Sequence, residues 1–267
     1  MKLAKADKHP AWCPGCGNYP ILETLKEVLD EKRPERDNLV LVSGIGQAAK
    51  LPHYVKANVF NGLHGRALPA ATGIKLANHE LEVLITSGDG DMYGEGGNHF
   101  IHAMRRNIGV KVLVHNNQVY GLTKGQASPT SDWDFVTGIQ IHGVKTLPFN
   151  PLALAIIEDC SFVARSFAGD KEHLKQMMAA VLDHKDGFAL LDIFQPCVTF
   201  NHVNTYKWYR DRVKPLPKNY DPFDREAALK VALSGGEELP IGIIYRSKRK
   251  SYESHAKVLN KGPLVNQ

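Results

Sequence analysis

Two short polar segments of this 267-residue chain carry the residue types that bind a magnesium ion and a diphosphate. The first is Gly88-Asp89-Gly90, the second is Asn116-Asn117, and each follows an apolar run. Carboxylate and amide oxygens are ligands that Mg²⁺ prefers, usually together with phosphate oxygens. Glycines beside an acidic residue let the backbone approach a phosphate closely. The spacing of these segments therefore predicts a magnesium–diphosphate site.

The spacing of these segments resembles the thiamine-diphosphate-binding motif of the thiamine enzymes, and this resemblance implies one set of magnesium ligands. We expect the ion to be bound by the Asp89 carboxylate, the side-chain oxygen of Asn117 and the backbone carbonyl of Val119. Asp91 is expected to support this set without touching the ion, and Asn116 is the alternative to Asn117. Because a Gly-Asp-Gly triplet also occurs in plain turns, two unrelated turns remain the alternative interpretation.

Three of the four cysteines form a second candidate site. Cys13 and Cys16 form a Cys-x-x-Cys pair in a loop rich in proline and glycine, and Cys197 follows a predicted strand as a possible third ligand. Thiolates at this spacing bind zinc or an iron–sulfur cluster, whereas a redox pair would open a helix directly after a strand. Cys160 is expected to be a small buried residue of the core.

Short apolar runs alternate with helical patterns, which is typical of βαβ units. The predicted strands cover residues 39–42, 81–86, 110–114, 188–193 and 241–245. The predicted helices cover residues 21–32, 68–78, 98–107, 152–158, 171–183 and 224–233. We therefore expect an α/β fold with a mostly parallel open sheet and helices on both faces. Ligands of such sheets bind at the carboxyl ends of the strands, where both polar segments and Ser43-Gly44-Ile45-Gly46 lie.

The sequence changes in character at about Pro196, where prolines and aromatic residues replace periodic elements. We expect residues 1–195 to form the ligand-binding domain, including the N-terminal cysteine loop. Residues 196–267 are expected to form an irregular C-terminal extension that packs on this domain or on a partner.

Charge and hydropathy exclude several classes of protein. The formal net charge is +5, and 43% of the residues are hydrophobic, which is an ordinary globular balance. No basic stripe with interleaved aromatic residues is present, so we expect no nucleic-acid partner. No apolar run approaches the roughly 18 residues of a membrane span, and the first residues turn polar at once. We therefore expect a cytoplasmic protein with no membrane association.

The ordered set of motifs resembles the β subunits of the 2-oxoacid:ferredoxin oxidoreductases over nearly the whole chain. It is most similar to the branch that acts on 2-oxoglutarate or on 2-oxoacids in general. The segments that carry this resemblance are Trp12-Cys13-Pro14-Gly15-Cys16-Gly17, Ser43-Gly44-Ile45-Gly46, Lys50-Leu51-Pro52-His53-Tyr54, Leu63-His64-Gly65-Arg66, Gly88-Asp89-Gly90-Asp91, Gly96-Gly97-Asn98-His99, Arg105-Arg106-Asn107, Asn116-Asn117 and residues 120–130.

The resemblance implies a thiamine-diphosphate-binding fold in residues 1–195, with Mg²⁺ bridging the diphosphate to the protein. An α subunit would supply the other half of the cofactor site, so the chain alone should be inactive. The implied reaction is oxidative decarboxylation of a 2-oxoacid, favouring 2-oxoglutarate and then pyruvate, with the acyl group passed to coenzyme A and electrons to ferredoxin. The implied cofactor-binding residues are Gly46, His64, Gly88, Asp89, Gly90, Asp91, Asn117, Val119, Gly121, Leu122 and Thr123.

One position departs from the family pattern. Many members bind a [4Fe–4S] cluster through four cysteines, and Gln47 occupies the place of the third. Cys13, Cys16 and Cys197 remain, and an amide is a poor ligand for iron. The cluster could be absent, could be held by three thiolates with another ligand, or could take a ligand from a partner. We favour a bound cluster or other metal.

Three basic residues are candidates for catalysis. Lys50, His64 and Lys124 match motif positions around the predicted site, where they could contact the substrate carboxylate or the cofactor. Solvated surface lysines are the alternative for Lys50 and Lys124. Two other functions are also considered: a non-oxidative thiamine-dependent decarboxylase subunit, and an interaction module in which the cysteine loop holds a structural zinc ion.

Overall fold

The computed structural model describes residues 9–33 and 35–267, so the polar start of the chain lies outside the described residues. The strands are β1 (Leu39–Ser43), β2 (Asn58–Asn61), β3 (Glu82–Gly88), β4 (Val110–Asn116), β5 (Val119–Tyr120), β6 (Gln126–Ala127), β7 (Phe162–Phe167), β8 (Ala189–Phe194), β9 (Val213–Pro215) and β10 (Leu239–Arg246). The α-helices are α1 (Asn18–Lys32), α2 (Ala67–Ala77), α3 (Gly97–Arg106), α4 (Pro151–Ile157), α5 (Lys171–Asp183), α6 (Tyr206–Arg212) and α7 (Arg225–Leu233).

Within the described residues, eight strands form one open sheet in the order β2-β1-β3-β4-β8-β7-β10-β9. The first six strands in this order, β2-β1-β3-β4-β8-β7, run parallel to one another. Strand β10 pairs antiparallel with β7, and β9 runs parallel to β10. This arrangement confirms the predicted mostly parallel sheet. It also places the carboxyl ends of β1, β3 and β4 side by side.

Helices cover both faces of the sheet, as predicted. On one face α2, α3, α4 and α7 pack against the sheet through side chains such as Leu68, Phe100 and Ile156. On the other face α1 and α5 pack through side chains such as Ile21 and Val181. Strand β8 is buried along its whole length, which explains why its sequence is an apolar run interrupted only by Asp192.

Several elements were not predicted from the sequence. Strand β7 was missed because Arg165 and Ser166 interrupt its apolar run, although both side chains are buried in the fold. Strand β2 is an exposed edge strand, and β5 and β6 form a separate two-stranded hairpin. The C-terminal part is also more regular than expected, because α6 and β9 precede the predicted helix and strand.

No described helix combines the length and the apolar character that a membrane crossing requires. Cys160 is fully buried in the core beneath the sheet, as predicted.

Candidate functional site

A cleft opens at the carboxyl ends of β1, β3 and β4, where the sequence predicts a ligand site. Every residue predicted to bind the cofactor lines this cleft. The lining consists of Ile45, Gly46, Gln47, Ala48, His64, Gly88, Asp89, Gly90, Asp91, Asn117, Val119, Tyr120, Gly121, Leu122 and Thr123. The structure thus brings together segments that follow three neighbouring strands.

Asp89 lies at the base of the cleft and is only 1% exposed. Its Oδ2 atom accepts hydrogen bonds from the hydroxyl groups of Ser128 and Thr130, the latter at 2.7 Å. Burial raises the pKa of this carboxyl to about 6, although both hydroxyl groups oppose the shift. A buried carboxylate whose charge is incompletely compensated is suited to bind a cation.

The two asparagines after β4 point to different sides. Asn117 lines the cleft, and its Oδ1 atom accepts a hydrogen bond from the Val119 amide at 3.1 Å. Asn116 does not line the cleft: its Oδ1 lies 2.8 Å from the Thr130 hydroxyl, and its amide group donates to Asp192 at 3.2 Å. The geometry therefore favours Asn117 over Asn116 as the ligand.

Asp91 joins the loops around the cleft. Its Oδ1 atom accepts hydrogen bonds from the backbone amides of Ile45 at 3.0 Å and Gly65 at 2.7 Å, and lies 2.7 Å from Nδ1 of His64. Its Oδ2 atom accepts from the Ser87 hydroxyl at 2.6 Å. Both oxygens are therefore engaged by the protein, and Asp91 holds the surrounding loops together; its role towards the cofactor stays a prediction.

Two glycines are required by the shape of the cleft. A Cβ atom at Gly90 would lie 2.2 Å from a ring carbon of Tyr120, so no other residue fits between these segments. Gly46 has a φ angle of +126°, which side chains rarely tolerate, and its surroundings are open. A group that approaches the backbone closely, such as a diphosphate, therefore finds space at Gly46.

The three basic residues lie in different environments. His64 lines the cleft, with Nε2 located 3.5 Å from a carboxylate oxygen of Glu95. Lys50 is outside the lining, and its amine lies 3.5 Å from the carbonyl oxygen of Ala11. Lys124 is exposed in the turn after Thr123, also outside the lining. Catalytic roles for these three residues stay predictions.

The three candidate metal-binding cysteines line a second pocket that adjoins the cleft. Cys13, Cys16 and Cys197 surround it together with Gln47. The N-terminal loop is held there because the Gly17 amide donates to the Pro196 carbonyl at 3.2 Å. The sequence analysis named these residues from positions far apart in the chain, and the fold brings them together.

The Cys16 thiol of this pocket is held in its protonated form in the metal-free chain. Burial raises the pKa of Cys16 to about 11, with nearby Cys197 and Cys13 adding to the shift. The Oε1 atom of Gln47 is buried without a hydrogen-bond partner in the described residues. Over residues 9–33 and 35–267, no three His, Cys, Asp or Glu side chains converge in an arrangement that could hold a metal ion.

Sequence reasoning assigned no role to four residues that shape the site. Ser128 and Thr130 hold Asp89, and Tyr120 packs against Gly90. The Gln195 amide joins the two pockets, because its oxygen accepts from Asn117 at 3.0 Å and its nitrogen lies 3.6 Å from Cys16 Sγ. The segment 120–130 was noted as a motif, but nothing in its pattern shows that two hydroxyl groups reach a carboxylate on another loop.

Comparison with known protein families agrees with this geometry. Residues 42–193 match the family described as the thiamine pyrophosphate enzyme, C-terminal TPP-binding domain. Residues 197–261 match the C-terminal region of the pyruvate ferredoxin oxidoreductase β subunit. The first match includes Asp89 and Asn117, and it covers more than half of the chain.

Curated relatives and a solved structure are similar over most of the chain. A 2-oxoacid:ferredoxin oxidoreductase β subunit from a Sulfolobus species is 41% identical over 92% of this chain and 85% of that protein. The 2-oxoglutarate oxidoreductase subunit KorB of Mycobacterium tuberculosis is 45% identical over 73% of this chain and 52% of that protein. A 2-oxoglutarate:ferredoxin oxidoreductase from Magnetococcus marinus, solved with 2-oxoglutarate, coenzyme A and succinyl-CoA bound, superposes with a TM-score of 0.92, at 34% identity, over 96% of this chain and 88% of that one. The chain therefore belongs to the family of 2-oxoacid:ferredoxin oxidoreductase β subunits, which carry a thiamine-diphosphate-binding domain.

Proposed function

We propose that this chain, assembled with an α subunit, catalyses the oxidative decarboxylation of 2-oxoglutarate, with pyruvate as the next substrate. The products are CO₂, an acyl-CoA and reduced ferredoxin. The observation that carries the proposal is the cleft in which Asp89 and Asn117 face one space at the ends of β3 and β4. Relatives named for 2-oxoacids and 2-oxoglutarate support this choice of substrate class.

The residues of the cleft fit the diphosphate half of thiamine diphosphate and its magnesium ion. Asp89, Asn117 and the carbonyl of Val119 would hold the ion, which in turn holds the diphosphate oxygens. Open backbone at Gly46 would admit the diphosphate. When bound, the cofactor supplies the carbon nucleophile and the electron sink of the reaction.

The chain's own contribution is orientation and charge. Asp91 keeps His64 and the Gly65 amide at the edge of the cleft. Lys50 and Lys124 would attract the substrate carboxylate at the mouth of the cleft. The α subunit would complete this mouth. Leu122 is 43% exposed beside Lys124, where the side chain of a substrate or a surface of the α subunit would cover it.

The cysteine pocket would carry the electrons away. Cys13, Cys16 and Cys197 line one pocket with Gln47 and would supply three thiolates to an iron–sulfur cluster. Because they do not converge into a metal site in the described part of the chain, cluster binding would have to draw them closer together. Metal binding must then displace the proton of Cys16, whose thiol is stabilised by burial. The pocket shares Asn117 and Gly121 with the cleft, so electrons would have a short path.

One observation favours a second function. Gln47 stands at the position where a fourth cysteine would complete the cluster site. A complex that binds no iron would be expected to release an aldehyde without oxidation, as a thiamine-dependent 2-oxoacid decarboxylase does.

The test is an anaerobic assay of the complex of this chain with its α subunit, supplied with thiamine diphosphate and Mg²⁺. 2-Oxoglutarate and pyruvate are compared, with and without coenzyme A, while ferredoxin reduction and acyl-CoA are measured. We expect ferredoxin reduction that requires coenzyme A and is fastest with 2-oxoglutarate. Aldehyde formation without ferredoxin reduction would support the decarboxylase instead, and no turnover of either acid would contradict both.

A further inference from the structure

A cavity larger than the cofactor cleft lies beyond it, and the proposed function does not use it. It has a volume of about 410 Å³ and opens at the carboxyl ends of β4, β8 and β7. Asn116 and Thr130 lie between it and Asp89. Its size falls within the range of small-molecule sites in proteins.

Arg165, on the buried strand β7, lines this cavity and is only 8% exposed. Its guanidinium group stacks over the Phe194 ring at 4.8 Å. It forms no hydrogen bond within the described part of the chain, and its Nε atom is fully buried without a partner. Burying the Nε donor without a partner is costly, whereas the two Nη atoms are not fully buried and remain accessible to a ligand.

Asp192 does not satisfy this guanidinium group. The nearest approach is 3.7 Å, between Arg165 Nε and Asp192 Oδ1, which is too long for a hydrogen bond. Asp192 already accepts hydrogen bonds from the Tyr93 hydroxyl at 2.7 Å and from the Asn116 amide. The pair therefore balances charge without using the donors of Arg165.

Two other polar side chains of the cavity, Asp132 and Asn150, are already engaged. Asp132 accepts hydrogen bonds from the amides of Gln118 and Asn204, both at 3.0 Å. Asn150 donates to the Ala232 carbonyl at 2.7 Å and accepts from the Ala153 amide at 3.0 Å. Because these groups have hydrogen-bond partners and the Arg165 guanidinium has none within the described residues, a ligand would be recognised mainly through the guanidinium group.

The remaining lining is largely apolar and includes four aromatic side chains. Phe149, Phe194, Trp208 and Tyr209 line the cavity, with Phe194 and Tyr209 stacked at 4.9 Å. Aromatic walls around one buried cation suit a ligand with a planar or apolar body and a single anionic group. Carboxylates pair with the guanidinium fork through two parallel hydrogen bonds.

We propose that this cavity is a second ligand site, distinct from the cofactor cleft, that binds a small organic carboxylate with an apolar or aromatic body through Arg165. The probe is benzoate, which offers one carboxylate and one ring and is not a 2-oxoacid. Its binding to the complex with the α subunit is measured by titration calorimetry, with and without thiamine diphosphate and Mg²⁺.

Two variants test the site in different ways. Arg165→Met removes the cation but leaves Asp192 buried without a counter-charge, so this variant could unfold. Gly235→Leu leaves Arg165 and Asp192 intact. It extends a side chain from a cavity-lining position where a Cβ atom meets nothing within 4 Å. Gly73→Leu is the matched control, because that glycine is exposed on α2 in equally open surroundings and lines neither cavity.

We expect saturable benzoate binding that survives saturation with thiamine diphosphate. The affinity should fall at least about tenfold in Gly235→Leu and in folded Arg165→Met, and should be unchanged in Gly73→Leu. The proposal is overturned if benzoate does not bind, if thiamine diphosphate displaces it, or if Gly235→Leu binds as the wild type does.

Discussion

The Nδ1 atom of His64 lies 2.7 Å from Oδ1 of Asp91, although the two residues belong to loops that follow different strands. The same carboxylate oxygen accepts the amides of Ile45 and Gly65, which belong to the loops after β1 and β2. One buried side chain after β3 therefore fixes three loops against each other. The position of His64 in the cleft depends on it.

Asp91→Ala should destabilise the complex, because it leaves the buried donors of Gly65 and Ser87 and the part-buried amide of Ile45 without their acceptor. We expect a loss of about 3 kcal/mol in the free energy of unfolding, the scale of one or more unsatisfied buried groups. Denaturant unfolding of the wild type and the variant measures it. Asp37→Ala, on the exposed turn before β1, should stay within about 0.5 kcal/mol of wild type. Equal losses in both variants would show that Asp91 does not hold the loops.

Thr130→Val should weaken magnesium binding, because its hydroxyl lies 2.7 Å from Asp89 Oδ2 and helps to orient that carboxylate. Loss of a group that orients a metal ligand typically costs about 10- to 100-fold in affinity. The Mg²⁺ concentration for half-maximal activity measures this loss. Thr130→Ser keeps the hydroxyl and should restore most of the affinity. A serine variant as weak as the valine variant would assign the effect to the lost methyl group instead.

Cofactor affinity should depend on pH through Asp89, whose pKa is raised to about 6 by burial. Since the folded pKa lies above the ordinary value, folding favours the protonated carboxyl. The metal-free protein therefore loses stability as the pH rises from about 4 to about 6. Magnesium binds the ionised form, so affinity should increase over the same interval and level off above it.

The affinity for thiamine diphosphate with Mg²⁺ is measured at each pH for the wild type and for Asp89→Asn. The ratio of the two affinities separates the effect of Asp89 ionisation from the effect of titration of the ligand itself. This ratio should grow by up to about tenfold per pH unit below pH 6 and then become constant. A ratio that stays flat from about pH 5 to pH 7 would mean that Asp89 does not titrate there.

Gln47→Cys tests the cysteine pocket, since it adds a fourth thiol beside Cys13, Cys16 and Cys197. Iron and sulfide are measured in the anaerobically purified complex. We expect iron in the wild type, held by three thiolates, and a cluster in the variant that loses its iron more slowly to a chelator. Wild-type complex without iron, together with iron in Gln47→Cys, would show that this chain has lost its cluster.

The sequence predicts the parts of the site that depend on strand ends. Asp89, Asn117 and Gly46 each follow an apolar run, and parallel strands must bring such ends to one edge. The sequence also predicts the cysteine pocket, because cysteines are rare in this chain and their thiol groups are specific metal-binding groups. It does not predict Ser128 and Thr130 as partners of Asp89, because that contact depends on how an irregular loop folds back.

Arg165 shows a second limit of prediction from the sequence. Its charge makes Phe162–Phe167 look unlike a buried strand, and only the fold shows that Asp192 on the neighbouring strand β8 lies beside it. Pairs of this kind depend on strand order and register, which local patterns do not encode. The antiparallel position of β10 beside β7 escaped prediction for the same reason.

The most direct test of the central claim is the affinity of the complex for thiamine diphosphate in the presence of Mg²⁺, measured by titration calorimetry for wild type, Asp89→Asn and the control Asp37→Asn. The control removes one exposed carboxylate from a loop outside the cleft. We predict that Asp89→Asn weakens binding by at least about 100-fold, since it removes the charged residue that we propose as a metal ligand, and that Asp37→Asn binds as the wild type does. Unchanged binding in Asp89→Asn would contradict the assignment of this cleft as the thiamine diphosphate site.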